Sequence, residues 1–189
     1  MNVPKIITAD LIDLERVKGV LKLGFASDAL LRWVFPDAQN YLKSFDLWMT
    51  EFSKIAYEHN LVYSEQNFAG ASIWHPPGVE FDAAILEPTF DAIPPERLET
   101  VIKFFEEFEI YHPDDAWYLA FIAVDPSQQR KGIGSFLLKE ALQMIDQKGD
   151  RAYLEASNEQ NKALYERHGF IEIGKVQFED SPPAFPMIR

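Results

Sequence analysis

One succession of elements in the C-terminal half of the chain limits the possible folds more than any other feature. The apolar run AWYLAFIAV at residues 116–124 indicates a buried strand, and AYLEAS at residues 152–157 indicates another. Between them, residues 132–149 predict a helix with an apolar stripe facing the core and a glycine at its end. Because strand, helix and strand in this order are joined by a right-handed crossover, the sequence predicts a parallel pair of strands.

Shorter patterns on either side complete an α/β domain. Strands are predicted at KIITA, LVYSE, FAGASIWH, FIEIGKVQF and AFPMIR, and the second and third of these indicate a hairpin. Apolar residues at helical spacing predict three helices: one after Asp10, which would cap it, one over residues 41–56, and one that starts at Pro95. Residues 79–95 are predicted to form a loop. The 189 residues contain no linker and no internal repeat, so we expect a single domain over residues 1–189.

The charge balance and the lack of cysteine exclude several classes of function. With 30 acidic and 18 basic residues the formal net charge is −12, which disfavours binding to nucleic acid or to a membrane surface and would attract a cationic partner. The same charge also serves solubility. The chain has no disulfide and no thiolate nucleophile, and its N-terminus lacks an apolar signal, so we expect a cytoplasmic protein. The longest apolar run is about half as long as a membrane-spanning helix.

The sequence predicts an anion site in the glycine loop between the strand at residues 116–124 and the helix at residues 132–149. Arg130 and Lys131 precede Gly132 and Gly134 at the start of the helix, where backbone N–H groups and the helix dipole attract negative charge. A Walker-type phosphate loop requires its lysine after the last glycine, so triphosphate binding is disfavoured. A dinucleotide site requires a small residue where Leu137 stands and a position early in the fold, so it is a minor alternative, although an acid follows at a suitable distance.

Two short motifs carry a resemblance to a known family. Residues 129–134 (QRKGIG) have the pattern Q/R-x-x-G-x-G/A, and residues 161–170 (NKALYERHGF) combine an asparagine, a tyrosine and a Gly-Phe pair. Together they resemble the GNAT superfamily of N-acetyltransferases. The stretches GFASDALLRWVFPD, SIWHPPG and AWYLAFIAVDPSQQRKGIGSFLL further resemble the puromycin-type enzymes, and this similarity is strongest from residue 116 onward.

The resemblance implies a fold and a cosubstrate. It implies a GNAT-type mixed β-sheet with helices on both faces, splayed between two central parallel strands where acetyl-CoA enters. The backbone of Ile122, Ala123 and Val124 would then pair with the pantetheine arm, and either Asn158 or Asn161 would bind that arm as well, unless it caps the helix. The pyrophosphate would lie on the glycine loop, whose residues are Gln129, Arg130, Lys131, Gly132, Ile133, Gly134 and Ser135.

Acetyl transfer to an amine requires a proton acceptor, donors for the oxyanion and a proton for the leaving thiolate. The resemblance makes Tyr165 the general acid, and a phenol with an ordinary pKa of about 10 is protonated at neutral pH. Glu155 is the candidate general base and is equally compatible with a structural carboxylate. His112 and His75 are weaker candidates. No pair among the histidines has metal-ligand spacing with an acid, so we expect no metal.

The acceptor side is less well defined by the sequence. Trp33, Phe35 and Trp74 are candidate substrate-binding residues, although aromatic residues there equally suit a core, and Asp28 and Asp37 could attract an ammonium group. The resemblance implies a small-molecule amine as the acceptor. Two alternatives are a non-catalytic module that binds or senses acyl-CoA and an N-acetyltransferase of proteins or peptides. The protein is expected to act as a monomer or a homodimer.

Overall fold

The computed structural model describes residues 3–79 and 83–189 of the chain. The helices in these ranges are α1 Leu14–Phe25, α2 Ala29–Val34, α3 Ala38–Glu58, α4 Leu98–Glu109, α5 Ile133–Lys148 and α6 Glu159–Glu166. The strands are β1 Ile6–Thr8, β2 Val62–Glu65, β3 Gly70–His75, β4 Ala116–Val124, β5 Arg151–Ala156, β6 Ile171–Glu172 and β7 Phe185–Ile188. Short 3₁₀ segments lie at Leu11–Asp13, Ala83–Ala92 and Pro126–Gln128.

The strands form one mixed sheet in the order β1-β2-β3-β4-β5-β7-β6. The pair β4 and β5 is parallel and is joined through α5, whereas the other neighbouring strands run antiparallel. This arrangement confirms the α/β class, the hairpin of β2 and β3, and the central parallel pair expected from the sequence.

The parallel pair separates soon after it begins. β4 and β5 are in register only from Ala116 to Tyr118, which lies opposite Tyr153. At this point the register between β3 and β4 also shifts, because Ile73 and Trp74 pair with Phe121 and Leu119 and leave an extra residue in β4. A bulge of this kind bends its strand and increases the local twist. The carboxyl half of β4 therefore diverges from β5, which is the splay that the resemblance implied.

Helices cover both faces of the sheet at the carboxyl end of β4. Successive strand residues point to opposite faces, and here Ala123 faces α1 while Val124 faces α5. A Cβ atom at Gly24 of α1 would lie 2.4 Å from the Cβ of Ala123, so only glycine permits this approach. On the other face, a Cβ at Gly134 would lie 3.7 Å from a Val124 methyl group. The layering around the splay thus depends on small residues next to β4.

Several element boundaries differ from the sequence-based predictions. The helix after Asp10 starts with a 3₁₀ turn that Asp10 does not cap through its side chain, and α4 begins at Leu98, after a turn, rather than at Pro95. The predicted loop 79–95 contains the 3₁₀ segment Ala83–Ala92, and residues 80–82 lie outside the described residues. Of the predicted strand at residues 170–178, Ile171 and Glu172 form β6, and Val176 adds an isolated bridge to Ala184.

Candidate active site

The glycine loop lies between β4 and the start of α5, where the sequence predicts an anion site. Gly132 is the N-cap residue and has φ +83°, a left-handed conformation that favours glycine, and Arg130 is also left-handed with φ +62°. The hydrogen bond from Phe136 N to Gly132 O (3.1 Å) is the first of the helix. The N–H groups of Ile133 and Gly134 therefore have no acceptor within the helix and are available to an anion.

The side chains of the loop leave this seat open to solvent. Gln129, Arg130 and Lys131 are exposed, and the Lys131 ammonium group donates to the Gln128 side-chain oxygen over 2.7 Å. Behind the loop, the Ser135 hydroxyl lies 3.1 Å from Nε2 of His168, which links the first turn of α5 to the end of α6. Two cations thus lie beside free backbone donors in a strongly acidic protein.

The diverging part of β4 presents an unpaired backbone edge next to this seat. On one side, Ile122, Ala123 and Val124 are in register with β3. On the other side, the register with β5 ends at Tyr118, so these three residues have no strand partner there in the described chain. Backbone N–H and C=O groups on such an edge can pair with a ligand that carries amides in an extended arm. The edge and the glycine loop together suit such an arm with an anionic group at one end.

Glu155 lies on β5 just beyond the point of separation. Burial raises the pKa of the Glu155 carboxyl group to about 7, and the negative charge of Glu109 adds to this effect. The phenols of Tyr118 and Tyr153 oppose burial and lower the pKa of Glu155. The Tyr153 hydroxyl is buried, and no hydrogen bond of ordinary geometry joins it to another described residue. A carboxyl group with this pKa can both accept and release a proton near neutral pH.

Tyr165 projects from α6 towards the same region. Its side chain is only 6% exposed and packs against Phe170, with ring centroids 6.0 Å apart. Burial, together with the negative charges of Asp28 and Glu155, raises the pKa of the Tyr165 phenol well above its ordinary value. The phenol is therefore protonated throughout the physiological range and can act as a proton donor.

A polar cluster joins β5 to α6 and to the N-terminal helices. Asn158 caps α6, because its side-chain oxygen accepts the N–H of Asn161 over 2.8 Å. The Ser157 hydroxyl donates to Asp28 over 2.6 Å, and the amide of Asn161 lies 3.5 Å from the same hydroxyl. Asp28 in turn caps α2 through the N–H of Leu31. Since Asn158 is engaged as a cap, Asn161 has the freer side chain of the two.

The structure places the three predicted acceptor-wall residues in or at the hydrophobic core. Phe35 and Trp74 are fully buried, and Trp33 is 7% exposed, with its indole N–H donating to Asp180 over 2.9 Å. His75 is also buried, and its Nε2 lies 2.8 Å from the carbonyl oxygen of Phe52. Trp33, Phe35 and Trp74 thus contribute to the hydrophobic core, whereas His75 lies next to Tyr118, with ring centroids 5.9 Å apart.

Two tyrosines that the sequence did not single out, and the candidate His112, lie near Glu155. The rings of Tyr118 and Tyr153 lie below the carboxylate, and the His112 ring packs on both, at centroid distances of 4.8 and 4.9 Å. The alternation of side chains in a strand puts Tyr153 and Glu155 on one face and could have identified Tyr153. Tyr118 and His112 could not be found this way, because they reach the site through strand register and a loop.

Within residues 3–79 and 83–189, no group of three or more His, Cys, Asp or Glu side chains is arranged to hold a metal ion. Nor does any helix in the same ranges combine the length and the apolar character needed to cross a membrane.

Comparison with known sequences supports the family that the motifs resemble. Residues 98–170 match the model of the acetyltransferase (GNAT) family. The chain is also 32% identical, over 152 residues, to an uncharacterized N-acetyltransferase of Schizosaccharomyces pombe, in an alignment that covers 68% of this chain and 60% of the yeast protein. The chain therefore spans about 60% of the length of this relative. Both matches support an acetyltransferase of the GNAT family, which normally uses acetyl-CoA.

Solved structures show the same fold over nearly the whole chain. A Corynebacterium glutamicum protein, described as histone acetyltransferase HPA2 and related acetyltransferase, has a TM-score of 0.68 at 23% identity, with 99% of this chain and 96% of that chain covered. A mosquito protein described as arylalkylamine N-acetyltransferase like 5b has a TM-score of 0.66 at 15% identity, with 99% of each chain covered. The mixed sheet with its parallel pair is thus the fold of GNAT acetyltransferases.

Proposed function

We propose that this protein transfers an acetyl group from acetyl-CoA to the amine of a small molecule, with Glu155 as general base and Tyr165 as general acid. One observation carries the proposal. Two side chains with proton-transfer chemistry lie where β4 and β5 separate, beside an unpaired strand edge that leads to an anion seat. A binding module alone would not require a carboxyl group whose pKa is near neutrality next to a protonated phenol.

The backbone would hold acetyl-CoA, which supplies the activated acetyl group when bound. The N–H groups of Ile133 and Gly134, with the Arg130 and Lys131 side chains, would bind the pyrophosphate. The edge of β4 at residues 122–124 would pair with the amides of the pantetheine arm, and one of its N–H groups would stabilise the oxyanion. Asn161 is the side chain that would bind the arm, since Asn158 caps α6.

Glu155 would remove a proton from the amine, directly or through one water molecule. Its pKa of about 7 means that close to half of the molecules carry the basic form at neutral pH. The carboxylate lies on the sheet face that Tyr153 also occupies, and aromatic rings limit its hydration. A base in such an environment has a strong tendency to accept a proton when an ammonium group approaches.

Tyr165 would donate a proton to the departing thiolate. Burial and the nearby charges of Asp28 and Glu155 keep the phenol in its protonated form. It comes from α6, on the opposite side of the opening from β4, so Tyr165 and the unpaired edge of β4 would flank the reacting group. Acid and base thus occupy different elements, which suits proton transfers at two different atoms.

The acceptor is proposed to be a cationic amine of small size. Asp28, Glu109 and Glu155 put negative charge on the acceptor side, and the chain as a whole carries a formal charge of −12, so an ammonium ion is attracted to the opening. The arylalkylamine N-acetyltransferase with the same fold is named for an acceptor of this class. The puromycin-type resemblance of residues 24–37 and 116–138 points to amines that also carry an aromatic group.

Thiol release from acetyl-CoA across a panel of amines tests this proposal. The panel should contain puromycin, an arylalkylamine, an aliphatic diamine, a free lysine and a peptide with a free N-terminus. We expect turnover with one of the small amines, and we expect the Glu155→Gln and Tyr165→Phe variants to bind acetyl-CoA but to lose most of that turnover. Tight acetyl-CoA binding without turnover on any amine would instead indicate a binding module, and turnover on the peptide alone would indicate a protein acetyltransferase.

A further inference from the structure

The register of the parallel pair brings two tyrosines together at the point where the strands separate. Tyr118 of β4 and Tyr153 of β5 are partners in the last register position before the splay. Their ring centroids are 6.0 Å apart, with an angle of 34° between the ring planes. Glu155 follows Tyr153 by two residues and so points to the same face of the sheet. The two phenol rings and the Glu155 side chain therefore lie on the same face of the sheet at the splay.

The Tyr153 hydroxyl has no structural role of its own in the described chain. Tyr153 is completely buried, and its hydroxyl is one of four buried side-chain polar atoms without a hydrogen-bond partner among the described residues. Leaving a buried donor unpaired destabilises the folded state. A phenylalanine at this position would keep the packing of the ring and avoid that cost, so packing does not account for the hydroxyl.

His112 holds the two phenol rings from the outside. Its imidazole packs on Tyr118 at 4.8 Å and on Tyr153 at 4.9 Å, and the Tyr118 ring also meets His75 at 5.9 Å. Contacts on two sides restrict how far the Tyr118 ring can turn. Packing thus fixes the two phenol rings at the point where the strands separate, on the same sheet face as Glu155.

From this geometry we infer that Tyr118 and Tyr153 are positioning residues that set the proton affinity of the Glu155 carboxylate, with His112 as the side chain that keeps their rings in place. The inference rests on the proposed function, in which Glu155 is the base. A phenol O–H directed at a carboxylate favours its ionised form, so the pair opposes the effect of burial. The result is a base that is about half ionised at neutral pH although its site is partly buried.

A backbone hydrogen bond also lowers the pKa of Glu155, whereas the other side chains around the carboxylate raise this pKa or leave it unchanged. From α4, Glu109 disfavours the ionised form of Glu155 through its negative charge. From α6, Tyr165 has its pKa raised by burial and by the negative charges of Asp28 and Glu155. Burial lowers the pKa of His112, which favours the neutral form of its ring. Among these groups, the two phenols are the ones that stabilise the charge of the base.

The pH profile of kcat/KM tests the inference in the Tyr118→Phe and Tyr153→Phe variants. Loss of either hydroxyl should move the acidic limb of the profile upward by about one pH unit, and loss of both should move it further. The defect should therefore reach about tenfold at pH 6 and vanish above pH 9, where Glu155 is ionised in every variant. A structural role alone would lower activity equally at all pH values. The Tyr153→Phe variant should also unfold at the same temperature as wild type or higher.

A matched control and a direct measurement separate this inference from the proposed function. Tyr57→Phe also removes a buried hydroxyl without a partner, on the remote α3, and should leave the limb in place. The Glu155→Gln variant should remove the limb, and if it does not, the base assignment itself is wrong. A ¹³C NMR titration of the Glu155 carboxyl carbon gives its pKa without turnover. An unchanged Glu155 pKa in both tyrosine variants would overturn the inference whatever Glu155 does in catalysis.

Discussion

The candidate site has two parts, one formed by backbone groups and the other by side chains. The cofactor half consists of backbone: the left-handed Gly132, the free N–H groups at the start of α5 and the unpaired edge of β4. The proton-transfer half consists of side chains that four elements bring together, namely Tyr118 from β4, Glu155 from β5, Tyr165 from α6 and the loop residue His112. Substitutions in the first half should therefore change binding, and substitutions in the second half should change turnover.

Tyr165→Phe should produce the largest loss of turnover and show most clearly that turnover and cofactor binding depend on different parts of the site. The variant keeps the ring that packs against Phe170 and removes one proton donor, so kcat should fall by about 10²- to 10⁴-fold while acetyl-CoA affinity is nearly unchanged. Steady-state kinetics beside isothermal titration measure the two quantities. Near wild-type kcat, with chemistry shown to limit the rate, would return Tyr165 to a packing role.

The pH dependence should identify the base. Because the basic form of Glu155 is required and its pKa is about 7, kcat/KM should be constant above that pH and fall about tenfold for each pH unit below it. At pH 5 the loss should thus be about a hundredfold. The measurement should use a weakly basic acceptor, because its amine does not titrate in the pH range where Glu155 does. If the acidic limb persists in Glu155→Gln, another group is the base.

Gly134→Val should affect binding and little else. A Cβ at Gly134 would make ordinary contacts, 3.7 Å from Val124 and 3.8 Å from Leu164, whereas Gly132 has a positive φ that strains any other residue. Valine at position 134 should therefore fold but obstruct the pyrophosphate, and we expect the Kd for acetyl-CoA to rise by at least about tenfold. Gly19→Ala in α1 is the control, because nothing lies within 4 Å of its Cβ. An unchanged Kd for acetyl-CoA in folded Gly134→Val would show that this loop does not bind the cofactor.

Trp33→Phe should have the smallest effect on function. The substitution removes the indole hydrogen bond to Asp180 in a nearly buried position, so the free energy of unfolding should fall by about 1–3 kcal/mol. Because the ring lies in the core, KM for the amine and Kd for acetyl-CoA should not change. Chemical denaturation and steady-state kinetics test both statements. A raised KM without loss of stability would place Trp33 in the acceptor wall after all.

The sequence was most informative where structure is local. The parallel pair, α5 and its terminal Gly149, the β2–β3 hairpin and α3 were all predictable, because periodicity and turn residues over short windows specify them. The six-residue α2 was missed although Asp28 is its N-cap. Helices of this length form mainly through tertiary packing, so a short window carries little signal for them.

The candidate residues, too, could be predicted where they belong to a local motif and not where their role depends on tertiary packing. The glycine loop and Tyr165 could be named from motifs, whereas the aromatic residues around positions 33–35 and 74 could not be assigned to core or site, since burial depends on what packs against them. In the same way, asparagines three residues apart were both candidates for one role until the hydrogen bond from Asn161 N to Asn158 showed which of them caps α6.

By itself, the sequence determined the class of fold and the strand–loop–helix unit with its glycine loop, because these depend on residues that are neighbours in the chain. Only the tertiary structure decided the environment of Glu155. The strand register pairs Tyr118 with Tyr153 beneath it, and a loop places His112 against both rings. A carboxyl pKa depends on burial and on charges and dipoles from residues distant in the chain, so the acid–base properties of this site arise only when the sheet has formed.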